Sequence, residues 1–445
     1  MTKDMTQGNP LKLILAFAFP VFLGSVFQNL YSMVDSMIVG RFLGVDAFAA
    51  VGSTGTITFL VFGWITGLTS GFGILISQAF GYRDQKRMKH YIAMSTYLCI
   101  AFAVLMTVGL LCANAWILRL MNTPESIFSD TRIYIGIIYA GIPFTILYNM
   151  LAAIARAVGD SKTPVKFLVL ASILNVILDL VFVLVIPLGV AGVALATVIA
   201  QMISAILCFR YEWKKYDEIH FNREEAAISW KNLGRLLAIG IPMALQFSVT
   251  AIGTMIVQSS LNLLGSTHIA AVSAAKKVQN FVEQFYASLG AAMATYAGQN
   301  YGARKHERIN KGVNSCILIV AIFSGITMVL AYYIFPVLIT IFTEDPKGEL
   351  VRIAREVFHI CLWFYFPLGL ILVYRNVLQG LGNGIVPMLG GIYELFARGF
   401  VIFLFFEKYQ FTAICLSDPA AWVGALVPLI PYYYWYINKI RKKSN

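Results

Sequence analysis

The sequence predicts an all-α integral membrane protein, with twelve transmembrane helices in two pseudo-symmetric six-helix lobes. Three observations lead there: an apolar composition, twelve apolar runs of spanning length, and an internal repeat. Of 445 residues, 59% are hydrophobic and only 13% charged, with a mean hydropathy of +0.74; a soluble domain is about a quarter charged. A bilayer-crossing helix needs about 20 mostly apolar residues. Such runs fall at 13–38, 53–79, 92–118, 132–157, 164–186, 190–211, 236–263, 271–297, 313–341, 353–380, 386–406 and 414–437. The connections between them are short, so no sizeable soluble domain is expected. The first run continues through Val39, past the length of a secretory leader, and no small-residue cleavage site follows it. It is therefore read as the first span.

The net charge is +12, and its placement explains it. Assigned to alternate sides of the twelve spans, 23 of the 34 Lys and Arg fall on the side of both termini and 7 on the other. Lys276, Lys277, Arg375 and Arg398 lie inside spans. The positive-inside rule then puts both termini in the cytoplasm of a multi-pass cell-membrane protein. The basic excess is a topology signal, and no nucleic-acid partner is expected. The six cysteines fall in or beside apolar runs without metal-like spacing and read as packing residues.

The chain repeats itself at an offset of about 222 residues. Pro20 answers to Pro242, and Leu43-Gly44 with Ala49-Ala50-Val51 answers to Leu264-Gly265 with Ala270-Ala271-Val272. Gln78-x-x-Gly81 matches Gln299-x-x-Gly302, and Pro143, Gly159 and Pro164 match Pro367, Gly382 and Pro387. Weak singly, these pairs are strong in order at one offset. They divide the chain into an N-lobe at 1–210 (spans one to six), a polar linker at 211–231 and a C-lobe at 232–445 (spans seven to twelve). Six spans per repeat is an even number, so both enter from the same side. Their symmetry axis would lie along the membrane normal, with a substrate site expected where the repeats meet. Duplicated six-helix bundles are transporters more often than scaffolds.

An ionised carboxylate in the bilayer is costly and needs a partner or a task. Asp35 lies deep in the first span and Asp179 within the fifth; Asn175 stands one turn before Asp179, on the same face. Thr197 in the sixth span could add a hydroxyl. Two converging carboxylates cannot both stay ionised without a counter-cation, so one takes a proton or the pair holds Na+ through oxygen ligands. The structural alternative is helix–helix hydrogen bonding around a permanently protonated acid. In the second half, Glu394 and Arg398 stand at i, i+4 and read as a self-neutralising pair, while Arg375 lies on span ten. Glu283, in span eight, has no base one turn away; it pairs with a lysine two turns off or contacts a cationic substrate. Gly63, Gly67 and Gly71 in span two are spaced for close helix packing. Pro20 interrupts the backbone bonding of the helix that carries Asp35 and reads as its hinge.

There is no GxxxxGK[ST], HExxH or GxSxG, and no catalytic constellation. No enzyme and no cofactor are expected; the partners expected are a small organic substrate and the lipid bilayer, and the chain is expected to be a monomer.

These residues resemble the multidrug and toxic compound extrusion (MATE) family, in its DinF-like bacterial branch, over essentially the whole chain. The most specific stretch is RAVGDSKTPVKFLVLASILNVILDLVF, Arg156 to Phe182, which looks like the family's R-x-x-G-D-x-x-x-P loop running into an N-x-x-x-D helix. PVFLGSVFQNLYSMVDSMIVGRFLG supplies the first-helix proline and aspartate, and QGLGNGIVP echoes the loop in the second half. The resemblance implies two six-helix lobes, alternating access, and export of cationic aromatic compounds in exchange for H+ or Na+. It carries over to Asp35, Asn175, Asp179 and Thr197 as the cation and proton site. The chain departs from the NorM-like branch, which uses carboxylates in helices seven and ten: Gln246, Thr250 and the surroundings of Leu368 are uncharged. That places coupling on the first lobe. Two rival readings stand beside this one: a lipid-linked oligosaccharide flippase of the same superfamily, which would line its cavity with arginines such as Arg375 and Arg398, and, more remotely, a membrane enzyme or scaffold.

Overall fold

The computed structural model describes residues 4–339 and 348–444. Residues 340–341, the end of the ninth expected span, lie outside them. Among the described residues there is no strand. The helices are α1 (Pro10–Ile38), α2 (Val45–Ser53), α3 (Gly55–Tyr82), α4 (Gln85–Leu120), α5 (Glu125–Ala140), α6 (Ile142–Ala157) and α7 (Lys162–Leu180). They continue with α8 (Gly189–Lys215), α9 (Trp230–Asn262), α10 (Ser266–Gly302), α11 (His306–Ile339), α12 (Glu349–Leu362), α13 (Tyr365–Gly380) and α14 (Ile385–Ser444).

These elements map onto the twelve spans with three refinements. The second span starts as α2 and restarts at Thr54 as α3. Spans four and ten are helix pairs, α5–α6 and α12–α13, bent by 45° and 53° at short breaks. Spans eleven and twelve run together as α14, whose helical path breaks at Gln410 (φ 36°, ψ −104°). Most helices overrun the apolar run that announced them, because polar residues carry the backbone bonding on past the hydrocarbon. The expected linker at 211–231 is likewise shorter than it reads, since α8 continues through Lys215.

The repeat shows in the backbone as well as in the residues. Gly44 (φ 90°, ψ −179°) and Gly265 (φ 91°, ψ 174°) occupy the same region, one reached almost only by glycine. Arg83 (φ 60°) and Arg304 (φ 57°) end α3 and α10 in the left-handed conformation. Gly159 (φ 83°) and Gly382 (φ 86°) turn the chain after α6 and α13. Closely matching φ values at corresponding positions mean that the two repeats fold by the same local rules.

By packing, the chain forms two compact units: Met1–Asp4 with Phe19–Ala244, and Met5–Ala18 with Leu245–Asn445. The changeovers fall inside α1 and α9, close to Pro20 and Pro242. In the first unit, α3 packs on α4 and α6, while α8 packs on α5, α6 and α7. The first part of α9 lies against α3 so closely that a Cβ on Gly71 would stand 2.5 Å from Gly240 Cα, and one on Gly67 2.6 Å from Ala244 Cα. The glycine spacing noted in span two is thus a packing device. The segment after α8 straps back onto α4: His90 Nδ1 lies 2.9 Å from the Glu225 carbonyl, and the Tyr97 hydroxyl donates to the Ala226 carbonyl at 3.1 Å. In the second unit, α10 packs on α11, α12 and α13. The N-terminal segment is tied there: the Met5 amide donates to Gln299 Oε1 at 2.8 Å, and Lys305 Nζ donates to the Thr6 carbonyl at 2.9 Å.

Candidate functional site

In the first unit, α1 and α7 each carry one acid just before the helix loosens into a π-helical turn. Asp35 stands four residues ahead of the turn at Val39–Leu43, and Asp179 two residues ahead of the turn at Val181–Val185. These two turns pack on one another and on α8. Single π turns inside α-helices recur at functional sites, because the wider turn re-aims side chains and leaves backbone groups free. Asp179 is fully buried and Asn175 nearly so, while Asp35 is partly exposed.

The Asp35 and Asp179 carboxyls lie within hydrogen-bonding reach of one another. Oδ1 of each has no further partner. Oriented to satisfy both neighbours, the Asn175 amide nitrogen donates to Asp179 Oδ2 at 3.3 Å and its oxygen accepts from Thr197 Oγ1 at 3.2 Å. All four residues singled out in the first lobe are therefore brought into one cluster. Two phenols that the sequence reading passed over, Tyr31 and Tyr134, lie within electrostatic range of both acids. Tyr31 precedes Asp35 by one helical turn, a local signal that was available. Tyr134 sits on α5 and has no local signal at all.

The second unit holds a different arrangement. Arg375 Nη2 donates to Glu394 Oε1, and Arg398 Nε donates to Asp418 Oδ1 at 3.0 Å. The expected i, i+4 pair Glu394–Arg398 is also present but longer, at 3.9 Å. The physical reason is reach: Arg398 comes closer to Asp418, beyond the break at Gln410, than to Glu394 one turn before it. Asp418 was not singled out from the sequence. Glu283 accepts from Gln279 Nε2 at 3.1 Å, one turn before it on α10. Lys276, Arg398 and Asp418 lie within its electrostatic range. The charges of this unit are thus paired or balanced, whereas the first unit contains two acids without a base between them. Among the described residues, no cluster of three or more His, Cys, Asp or Glu forms a metal-binding group.

A family model described as MatE matches residues 20–181 and again 242–395, two copies whose starts lie at the prolines of the repeat. The chain belongs to the MatE family. Among curated MatE-type relatives, the "Probable multidrug resistance protein YoeA" of Bacillus subtilis is 29% identical, over 99% of this chain and 96% of the relative. The "Probable multidrug resistance protein NorM" of Thermotoga maritima is 24% identical, over 94% and 89%. Among solved structures, a crystal structure of MATE in complex with MaL6 superposes with a TM-score of 0.91 at 21% identity, covering 99% of this chain and all of that one. At that identity the likeness concerns the fold: twelve helices in two lobes.

Proposed function

We propose that this MatE protein is a secondary antiporter that exports organic compounds, often cationic and aromatic, in exchange for H+ or Na+ by alternating access. The observation that carries the reading is the Asp35–Asp179 pair in the first unit, with Asn175 and Thr197 completing it, Asp179 fully buried and Asp35 partly exposed. An acid pair without a base inside membrane spans is a device that changes charge on binding one cation. The relatives' names, multidrug resistance proteins, agree with that class of cargo.

In the cycle, a proton or Na+ from outside neutralises the pair, substrate leaves outward, and the protein returns to the inward-facing state. Pro20, which lies in α1 beside the changeover between units, is the hinge through which the state of Asp35 bends the helix. The lobes at 1–210 and 232–445 move about the linker at 211–231, in a monomer whose termini face the cytoplasm. Exchange of one monovalent cation for another is electroneutral, so the membrane potential, about 2.3 kcal/mol per charge at 100 mV, cancels. Each pH unit then contributes about 1.4 kcal/mol. The flippase reading needs arginines free for a pyrophosphate, and here Arg375 and Arg398 each hold a carboxylate.

The test is ethidium efflux from proteoliposomes under an imposed pH or Na+ gradient, with wild type beside Asp35→Asn and Asp179→Asn. Wild-type efflux under one gradient, lost in both folded variants, supports the reading and names the ion. Variants that transport like wild type would make the acids structural. A wild type that moves no dye under either gradient, but binds a lipid-linked sugar, would return the flippase.

A further inference from the structure

Asp179 of the acid pair is fully buried, and a coupling ion bound by the pair must leave on the side opposite to its entry. On α8, Thr197, Gln201, Ser204, Cys208, Glu212 and Lys215 recur every three or four residues and so share one face. The outward side of the same stretch is lipid-like and exposed, with Ile206, Leu207, Phe209 and Trp213. Ser204, Cys208 and Glu212 are fully or almost fully buried. The stripe begins at Thr197, which the Asn175 amide joins to the acid pair. Gln201 Oε1 accepts from Thr145 Oγ1 at 2.6 Å, and Ser204 Oγ donates to the Phe167 carbonyl. Cys208 Sγ donates to Glu212 Oε1 at 3.5 Å.

Glu212 Oε2 has no partner at all, and the residue has no exposed surface. A buried carboxylate oxygen without a donor is costly. Besides Cys208, the groups within its electrostatic range are Lys215 on α8, Arg156 and Tyr148 on α6, Asp160 at the corner between α6 and α7, and Tyr216 just beyond α8. Two cations and one further anion thus lie within its range. A second observation is independent of the first. The other repeat lacks a matching stripe: in its last span Cys415 and Asp418 stand near the start, and Ala420 to Tyr433, AAWVGALVPLIPYY, has neither a carboxylate nor a thiol.

We infer that the polar face of α8 is a proton exit route, running from the Asp35–Asp179 pair to Glu212 and out beside Lys215. Thr197 and Glu212 stand about 22 Å apart along the helix at 1.5 Å per residue. Successive members are one turn apart, a gap that single waters bridge. A proton released by the pair passes along hydroxyl, amide and thiol to the Glu212 carboxyl, which gives one to water at the end of α8. No bond other than O–H, N–H or S–H changes, and the pair is left deprotonated for the next cycle. The inference rests on the antiport reading and deepens it, since a thiol and a single buried acid suit H+ and not Na+.

The experiment uses full-length protein in proteoliposomes with a pH-sensitive dye in the lumen, following proton movement and ethidium efflux together. Variants are Glu212→Gln, the mid-stripe Gln201→Leu, and Asp35→Asn and Asp179→Asn as controls. Both stripe variants should bind ethidium like wild type yet slow proton-coupled exchange by about tenfold or more, the scale on which losing a positioned proton-transfer group acts. Should Glu212→Gln fail to fold, Gln201→Leu carries the same test with the acid in place. Exchange at the wild-type rate in a folded stripe variant, with Asp35→Asn and Asp179→Asn inactive, overturns the route and leaves the antiport reading standing. Active Asp35→Asn and Asp179→Asn variants overturn the antiport reading itself. Efflux driven by Na+ alone overturns the route as well.

Discussion

Asp160 Oδ2 accepts the Tyr216 hydroxyl at 2.7 Å, locking the corner between α6 and α7 to the end of α8. The second repeat makes the neutral version of this latch: Asn383 Nδ2 donates to the Tyr432 hydroxyl, also at 2.7 Å. Each Asx residue caps the helix it opens, Asp160 Oδ1 accepting from the Thr163 amide at 3.0 Å and Asn383 Oδ1 from the Val386 amide at 3.1 Å. Both follow the glycine that turns the chain, and only the first carries a charge, which Lys215 answers.

That difference predicts a pH dependence. Burial alone would push the Asp160 carboxyl up, but hydrogen bonds from Lys215, Tyr216 and Thr163 outweigh it and hold it well below the usual carboxylate range. A depressed folded value means that the contribution is complete above the unfolded value of about 4 and fades as pH falls from there through the folded range. In detergent, Asp160→Asn should lower the thermal midpoint at neutral pH, equivalent to a loss of about 3 kcal/mol, as for a broken buried pair. Its midpoint should also fall less steeply on acidification below about pH 4 than the wild type's. Parallel curves for the two proteins would refute the assignment.

Gly44 and Gly265 predict a pure backbone effect. An added Cβ meets nothing within 4 Å at either position, yet both residues hold dihedrals that side chains avoid. Gly44→Ala and Gly265→Ala should each cost about 1–3 kcal/mol. Gly52→Ala, in α2 with the same open space, should cost nothing; thermal midpoints of the three variants decide the point.

Gly71 presents the opposite case, with helical dihedrals and no room. Gly71→Ala must move the first part of α9 away from α3, because the atoms it would strike are backbone. A loss of about 1–3 kcal/mol or more is expected. Gly109→Ala on the exposed face of α4 should instead gain up to about 1 kcal/mol from helix propensity. Equal stabilities would show that the α3–α9 contact yields easily.

The Arg375–Glu394 pair predicts stability loss without loss of coupling. Both side chains are almost fully buried, so Glu394→Gln strands a guanidinium and should cost about 3–5 kcal/mol. Arg375→Met combined with Glu394→Gln should recover part of that loss, because the two residues act as one unit. Ethidium efflux per folded molecule should stay near wild type in the double variant. Abolished efflux would move the pair from scaffold to substrate site.

Much of the fold was legible because the bilayer makes it so. Backbone groups in hydrocarbon must bond internally, so each apolar run of sufficient length becomes a helix. The break at Gln410 inside α14 falls in the connection read between the runs 386–406 and 414–437, whereas the bends between α5 and α6 and between α12 and α13 were not legible. They sit within or beside apolar runs, and hydropathy has no term for a kink. The acid cluster was half legible: Asn175 and Asp179 announce each other through one helical turn, and Asp35 is conspicuous by its cost in the membrane. Its approach to Asp179 joins residues 144 positions apart, and Tyr134 enters by the same long-range packing.

By itself, then, the sequence determined the number of spans, the duplication and the rare buried charges, since composition and local periodicity answer directly to the solvent around each segment. Which charge meets which was decided only by the tertiary structure. Arg398 turns to Asp418 instead of resting on Glu394, and Asp35 on α1 comes to Asp179 on α7. Electrostatic partnership depends on a few ångströms between helices far apart in the chain, and no local pattern encodes that distance.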